Sequence, residues 1–202
     1  MDRNQVWLIG YFENLPEFAF EFKGNKFFSG RISIQKGKAT DVIPFVVGEN
    51  VLKEVGTVES LDVGAMYEID GEIRSRKGKD GRIEQYIQAL RVTPSESADF
   101  RNEIHICGQA KRPPKTRVSA KGTVITSLCL DVVRQNSDTK RDSILCTAFK
   151  QIGEIAESVV TGEVIGIDGR AAAFVSQSGT EVLEVHVSHI EREKNENTVT
   201  EA

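Results

Sequence analysis

The strongest constraint on this chain is that it runs twice. The string RNQVWLIGY beginning at Arg3 returns as RNEIHICGQ beginning at Arg101, an offset of 98 residues. At that offset Lys23-Gly24 falls on Lys121-Gly122, Gly64 on Gly162 and Gly71 (in YEIDGEI) on Gly169 (in IGIDGRA). Gly81 likewise falls on Gly179, and Val92 on Ile190. The second copy gains about three residues near Asp138 and loses as many before Thr161, and such loop-confined indels are what a folded duplicate shows. The 202 residues therefore predict two domains, 1–95 and 100–192, joined by the turn-rich TPSESADF. The last stretch, 193–202, reads as a disordered tail.

Within each copy the hydrophobic period is mostly two. Val6, Leu8 and Gly10 alternate with Trp7, Ile9 and Tyr11, apolar on both faces, which predicts a strand covered on both sides. Phe18, Phe20 and Phe22 alternate with Ala19, Glu21 and Lys23. FFSGRISIQ runs into the turn KGKA, and DVIPFVV resumes the strand pattern. One helix is expected per copy. In the first it is NVLKEVGTVESL; in the second Phe149, Ile152, Ile155, Ala156 and Val159 recur at helical spacing. MYEIDGEIRSR, the turn KGKDGR and IEQYIQALRV form a closing hairpin. The expected fold class is all-β: two tandem five-stranded oligonucleotide-binding (OB) barrels, each with a short helix between its third and fourth strands.

Composition narrows the function classes. No apolar run approaches the roughly 20 residues that span a bilayer. The opening MDRNQVWLIGYFENLPEF lacks the charged-then-apolar pattern of a signal peptide. Three cysteines fit a reducing, cytoplasmic setting better than a disulfide framework. The net charge of −4 argues against a uniformly basic binder but leaves room for a local cationic groove.

Several strings resemble the bacterial single-stranded DNA-binding protein family. NEIHICGQ and NQVWLIGY are similar to its first strand. RDSILCTAFKQIGEIAESVVTGEVIGIDGR resembles its strand, aromatic, Ala-Glu helix and spaced glycines, and DGEIRSR resembles its Glu-Gly-x-Leu-x-Thr-Arg string. The likeness runs through both copies. It implies sequence-neutral binding of single-stranded DNA in replication, recombination or repair. It also implies an assembly in which four OB domains share one strand, so that two domains per chain need only a homodimer. The chain departs from the family in three places. Phe149 stands where Trp is usual, the first copy has Gly48 there, and ENTVTEA lacks the acidic Pro-Phe tip through which the family recruits replication proteins.

Such binding needs cations for phosphates and flat side chains for bases. Charge is unevenly placed. Glu49 to Glu72 holds seven carboxylates and one lysine, a net of −6. Ile73 to Arg91 nets +4 and carries Arg74, Arg76, Lys77, Lys79 and Arg82. Gln109 to Gly122 holds Lys111, Arg112, Lys115, Arg117 and Lys121 with no acid. These segments fall on the last hairpin of copy one and the first long loop of copy two. Lys36 and Lys38 in the central hairpin of copy one have Arg134, Lys140 and Arg141 as counterparts in copy two. Arg3 and Arg101 precede the two first strands at equal spacing, near an arginine that contacts phosphate in the family. Phe149 and Phe174 match positions that stack bases there. Trp7, Tyr11, Phe27, Phe28 and Tyr86 are further aromatic candidates, with Trp7 and its counterpart His105 read as interface or core.

No enzyme motif emerges. Gly78-Lys79-Asp80-Gly81 is a turn signature, because no helix follows it. His105 and Cys107 share a strand face, but His186 and His189 do not, and no Cys-x-x-Cys exists, so no metal or cofactor is expected. No small-molecule substrate is expected either. Two other readings fit an OB module. One is a protein-interaction scaffold in replication restart or assembly, favoured by the acidic stretch. The other is single-stranded RNA binding, which differs by contacts to one hydroxyl.

Overall fold

A computed structural model describes residues 4–78, 81–97, 99–135, 137–176 and 179–192. The expected tail lies outside them. The first half contains β1 (Asn4–Phe12), β2 (Glu17–Phe22), β3 (Asn25–Lys36) and β4 (Ala39–Gly48), then α1 (Glu49–Leu52), β5 (Met66–Lys77) and β6 (Ile83–Pro94). The second contains β7 (Arg101–Ala110), β8 (Lys115–Val118), β9 (Val124–Arg134) and β10 (Ser137–Phe149), then α2 (Lys150–Glu157), β11 (Val164–Val175) and β12 (Glu181–Arg192). All twelve strands form one sheet, with β2 and β8 at its two ends. Additional β1–β3 and β7–β9 pairings turn five strands of each half back on themselves as a ring.

Two expectations need correction. Each half has six strands, because β2 and β8 add a short outer strand to the expected five; the helix therefore follows the fourth strand. The first helix is also far shorter than NVLKEVGTVESL. It ends after four residues, and Gly56 at φ 135° breaks the chain before a short 3-10 turn at Val58–Ser60. Only Val51 and Leu52 give it a buried side. In α2, Gly153 and Ala156 are buried and Ile152 packs against the core, while Ile155 is exposed and Phe149 caps the helix rather than joining it.

The duplicated residues explain why both rings close. Asn4 donates its amide to the Ile73 carbonyl at 2.9 Å, and its Oδ1 accepts from the Ile73 N–H at 2.9 Å. Asn102 makes the same pair with Ala171 at 2.9 and 2.8 Å. Strand register slips at Asp70/Gly71 and again at Asp168/Gly169. A Cβ on Gly71 would lie 2.5 Å from the Gln88 carbonyl oxygen, so only glycine admits this bulge. A Cβ on Gly108 would fall 2.8 Å from the Asp131 carbonyl oxygen, and one on Gly10 closer still to that of Ser33, so glycine at both positions lets the ring-closing strands touch. Asn4→Ala strands a buried backbone N–H and C=O, and is expected to cost about 2 kcal/mol. Thermal unfolding followed by circular dichroism should register this as a fall of roughly 4–8 °C in Tm.

The halves join through β1 and β7, which pair antiparallel from Asn4↔Ile106 to Ile9↔Arg101. Val6 pairs with Ile104, its own counterpart at the repeat offset, so a pseudo-twofold axis passes between them. The apolar core is continuous across this join, with Val6, Leu8, Ile69, Ile104, Ile106 and Ile167 in one cluster. The first strand is less covered than its sequence implies. Trp7 is 37% and Tyr11 40% exposed. Each is shielded on one side by a residue at the join: the Arg101 guanidinium sits 3.7 Å from the Trp7 ring centre, and Phe100 meets Tyr11 edge-on.

Candidate nucleic-acid interface

Two cavities open where the halves meet. The first, of about 340 Å³, lies on the pseudo-twofold axis, since it is lined by the matching pairs Pro44 and Leu145, Gln85 and Leu183, and Arg82 and Thr180. Gln85 bridges the halves: its amide donates to the Leu183 carbonyl at 2.7 Å, and its Oε1 accepts from the Leu145 N–H. Arg31 from the first half grips Glu181 of the second with two bonds of 2.6 and 2.9 Å. Arg76, Arg82 and Tyr86 supply the cavity's cations and its ring, with the Arg76 guanidinium 6.0 Å from the Tyr86 centre.

The second cavity, of about 430 Å³, belongs to the second half and is roofed by Lys36 from the first. Phe149 and His186 meet edge to face at 5.0 Å on its wall. Arg170 joins them and is tethered to Asp41 at 2.8 Å across the join. Burial, and then the neighbouring Arg170 charge, hold the His186 pKa below the ordinary imidazole value, so its ring is neutral at pH 7. The matching place in the first half is closed: Gln135 reaches in, its amide donating to the Asn4 carbonyl at 2.5 Å and its N–H to Glu72 at 3.1 Å. There Glu72, Gln88 and Gly48 stand where the second half has Arg170, His186 and Phe149.

The sequence-selected cations fall into three groups. Arg74 and Arg134 are locked. Arg74 pairs with the fully buried Glu72, and Arg134 bonds the buried Asp142 at 2.6 and 3.0 Å. Withdrawing either would leave a buried carboxylate unpaired. The Asp142 bond also raises the Arg134 pKa. Arg76 with Glu84, Lys111 and Arg141 with Asp131, and Arg101 with Glu103 form exposed or partly exposed pairs, which contribute little and can be exchanged. Lys36, Lys38, Lys77, Arg112, Lys115, Arg117 and Lys140 are exposed and form no ion pair among the described residues. Arg82 is exposed in the first cavity. Arg3 and Lys79 lie outside the described residues.

Phe149 is half-buried in the second cavity, whereas Phe174 is 45% exposed near the end of β11 and lines neither cavity. Sequence reasoning missed Arg170 and His186. Their signal was available in the repeat, where IDGRA replaces IDGEI and a histidine replaces Gln88. It also read Phe18, Phe20 and Phe22 only as a strand pattern; they are 60%, 38% and 61% exposed. Among the described residues no group of three or more His, Cys, Asp or Glu could hold a metal ion, and no helix is long and apolar enough to cross a membrane. Burial raises the thiol pKa of Cys129 and Cys146, which pack as apolar filler.

Comparison with solved structures finds a clear likeness of fold. The single-stranded DNA binding protein from Thermus aquaticus superposes with a TM-score of 0.76 over 94% of this chain and 92% of its own, at 18% identity. This chain shares that protein's fold. A deletion variant of the same Thermus aquaticus protein gives a TM-score of 0.74 over 98% of both chains, at 19% identity. No family model and no curated protein sequence matches the chain.

Proposed function

We propose that this protein binds single-stranded DNA with little sequence preference, protecting it during replication, recombination or repair. Each five-stranded ring is read as an OB barrel, with domains at 1–95 and 100–192. The protein acts without catalysis, in the cytoplasm, and a homodimer supplies four such domains. The observation that carries the reading is the pairing of half-open cavities with rings and exchangeable cations on the outside of this fold. Tyr86 with Arg76 and Arg82, and Phe149 with Lys36, offer a base a flat partner and a phosphate a charge at the same place. The remaining exposed cations among the described residues, Lys38, Lys77, Arg112, Lys115, Arg117, Lys140 and Arg141, with the half-buried Arg101, extend that track around the hairpins, and Arg3 and Lys79, outside the described residues, are proposed as contacts from the sequence alone.

The scaffold reading loses part of its support, because four of the seven carboxylates in the acidic stretch are already paired. Glu72 is buried against Arg74, Arg91 pairs with both Asp70 and Glu68, and Lys53 bonds Glu49 at 2.9 Å, lowering that carboxyl's pKa. Of the rest, Glu54 and Asp62 are exposed and form no ion pair among the described residues, so a smaller acidic surface remains there for a basic partner.

Titration with oligo(dT) at several salt concentrations tests the proposal. Affinity is expected to fall linearly on a log–log plot, with a slope near −0.7 per phosphate neutralised. Replacing Lys115 and Arg117 together, both exposed on the outer strand β8, should make that slope shallower by about 1.4 while leaving the fold intact. Absence of any complex at low salt would overturn the reading.

A further inference from the structure

The first half has glycine at the position of Phe149 and so lacks a ring there. Strand register says where its rings went. In the second half Arg117 pairs with Ile125, and Ile125 pairs with Phe149, so these three side chains form one row across β8, β9 and β10. In the first half the same row is Phe20, Phe27 and Gly48 across β2, β3 and β4. Directly paired residues share a sheet face, so both rows lie on equivalent outer faces. The aromatic position has moved one and two strands outward. Phe27 lies beside Gly48: an added Cβ there would sit in contact with its ring at 3.8 Å, and 2.6 Å from the Asn50 Oδ1, the movable end of that side chain.

We infer that Phe20 and Phe27, extended by Phe22, form the first half's stacking platform for unpaired nucleobases. The inference deepens the single-stranded DNA reading and rests on it. Four observations point to this occupant. Phe20 and Phe27 are stacked at 4.9 Å and 16°, a ready-made flat surface. Phe20 and Phe22 stay exposed, although burying them would stabilise the protein. The Lys23 ammonium sits 5.5 Å from the Phe22 ring centre, placing a phosphate partner beside the platform. Two residues further along the same face, Ser29 pairs with Val46, and both line the axial cavity that holds Arg76, Arg82 and Tyr86. The row therefore opens onto the axial cavity, where Arg76 and Arg82 stand beside Glu84 and Glu181. A strand leaving it can continue toward the second half, where the platform is Phe149 and the outermost position of the row is the cation Arg117.

The test uses the full chain, with oligo(dT) long enough to cross both halves. Phe20→Ala with Phe27→Ala should weaken binding about tenfold without changing the salt slope, since rings and not cations are removed. Phe27→Ile with Gly48→Phe recreates the second half's arrangement and should bind as the wild type does, which a packing role for Phe27 would not produce. Photocrosslinking to an oligonucleotide carrying 5-iododeoxyuridine should mark the peptide with Phe20, Phe22 or Phe27. Two results overturn the inference while sparing the DNA reading. One is wild-type affinity in the double alanine variant together with crosslinks confined to the Phe149 side. The other is a change in sedimentation without a change in DNA affinity, which would make the phenylalanine face a protein contact. A wild-type chain that binds no oligo(dT) overturns both.

Discussion

Replacing Asp142 by alanine is expected to destabilise the protein by about 3–5 kcal/mol, because it removes one partner of a buried ion pair. The carboxylate is 1% exposed and its hydrogen bonds tie the two halves together. It accepts from Arg134 Nε and Nη2 within its own half, and from the Ser75 N–H at 2.9 Å and the Ser75 hydroxyl at 3.2 Å in the other. The Ser75 hydroxyl accepts in turn from the Ser143 N–H at 2.9 Å. Alanine leaves the Arg134 guanidinium half-buried without its counter-ion and the Ser75 N–H without an acceptor. Its counterpart at the repeat position, Asp41, serves as a control. Asp41 makes its ion pair with Arg170 in a more open setting, with a quarter of its side chain exposed, and Asp41→Ala should cost about 1 kcal/mol. Urea unfolding read by both fluorescence and circular dichroism distinguishes them. An unchanged midpoint for Asp142→Ala would show that the network does not couple the halves. The same geometry predicts that Arg134, though selected as a phosphate contact from its charge, acts on stability.

Phe149→Ala should cost about 1–3 kcal/mol of oligo(dT) affinity, roughly 5- to 150-fold. The ring is held by His186 on one side and borders open cavity on another, so a base can stack without displacing packed core. His186 is neutral at pH 7, so the charges lining the pocket are those of Lys36, Arg170 and Glu103, and all three survive the mutation. The salt dependence should therefore keep its slope while the whole line drops. A variant with wild-type affinity and a lowered Tm would assign Phe149 to packing alone.

Much of the fold is legible in the residues because duplication prints the same constraints twice. Asn4 and Asn102, Gly71 and Gly169, Gly10 and Gly108 recur at one spacing. Each pair meets the same backbone group in its own half, so the repeat is a record of ring closure. The candidate site is less legible. Lys115 and Arg117 were readable as exposed cations because a short polar run cannot bury them. Arg74 and Arg134 looked identical to them in sequence, and differ only because Glu72 and Asp142 approach them through the fold.

Sequence alone determined that there are two like units, that they are built from strands, and where cations and rings are concentrated, since period, repeat and charge are properties of neighbours along the chain. Tertiary structure decided which arginines are spent on buried carboxylates, which cavity stays open, and that the first half's rings sit at Phe20 and Phe27 instead of position 48. Those outcomes depend on which residues of different strands lie opposite one another, and cross-strand register is set by the closing of the rings and the join between them.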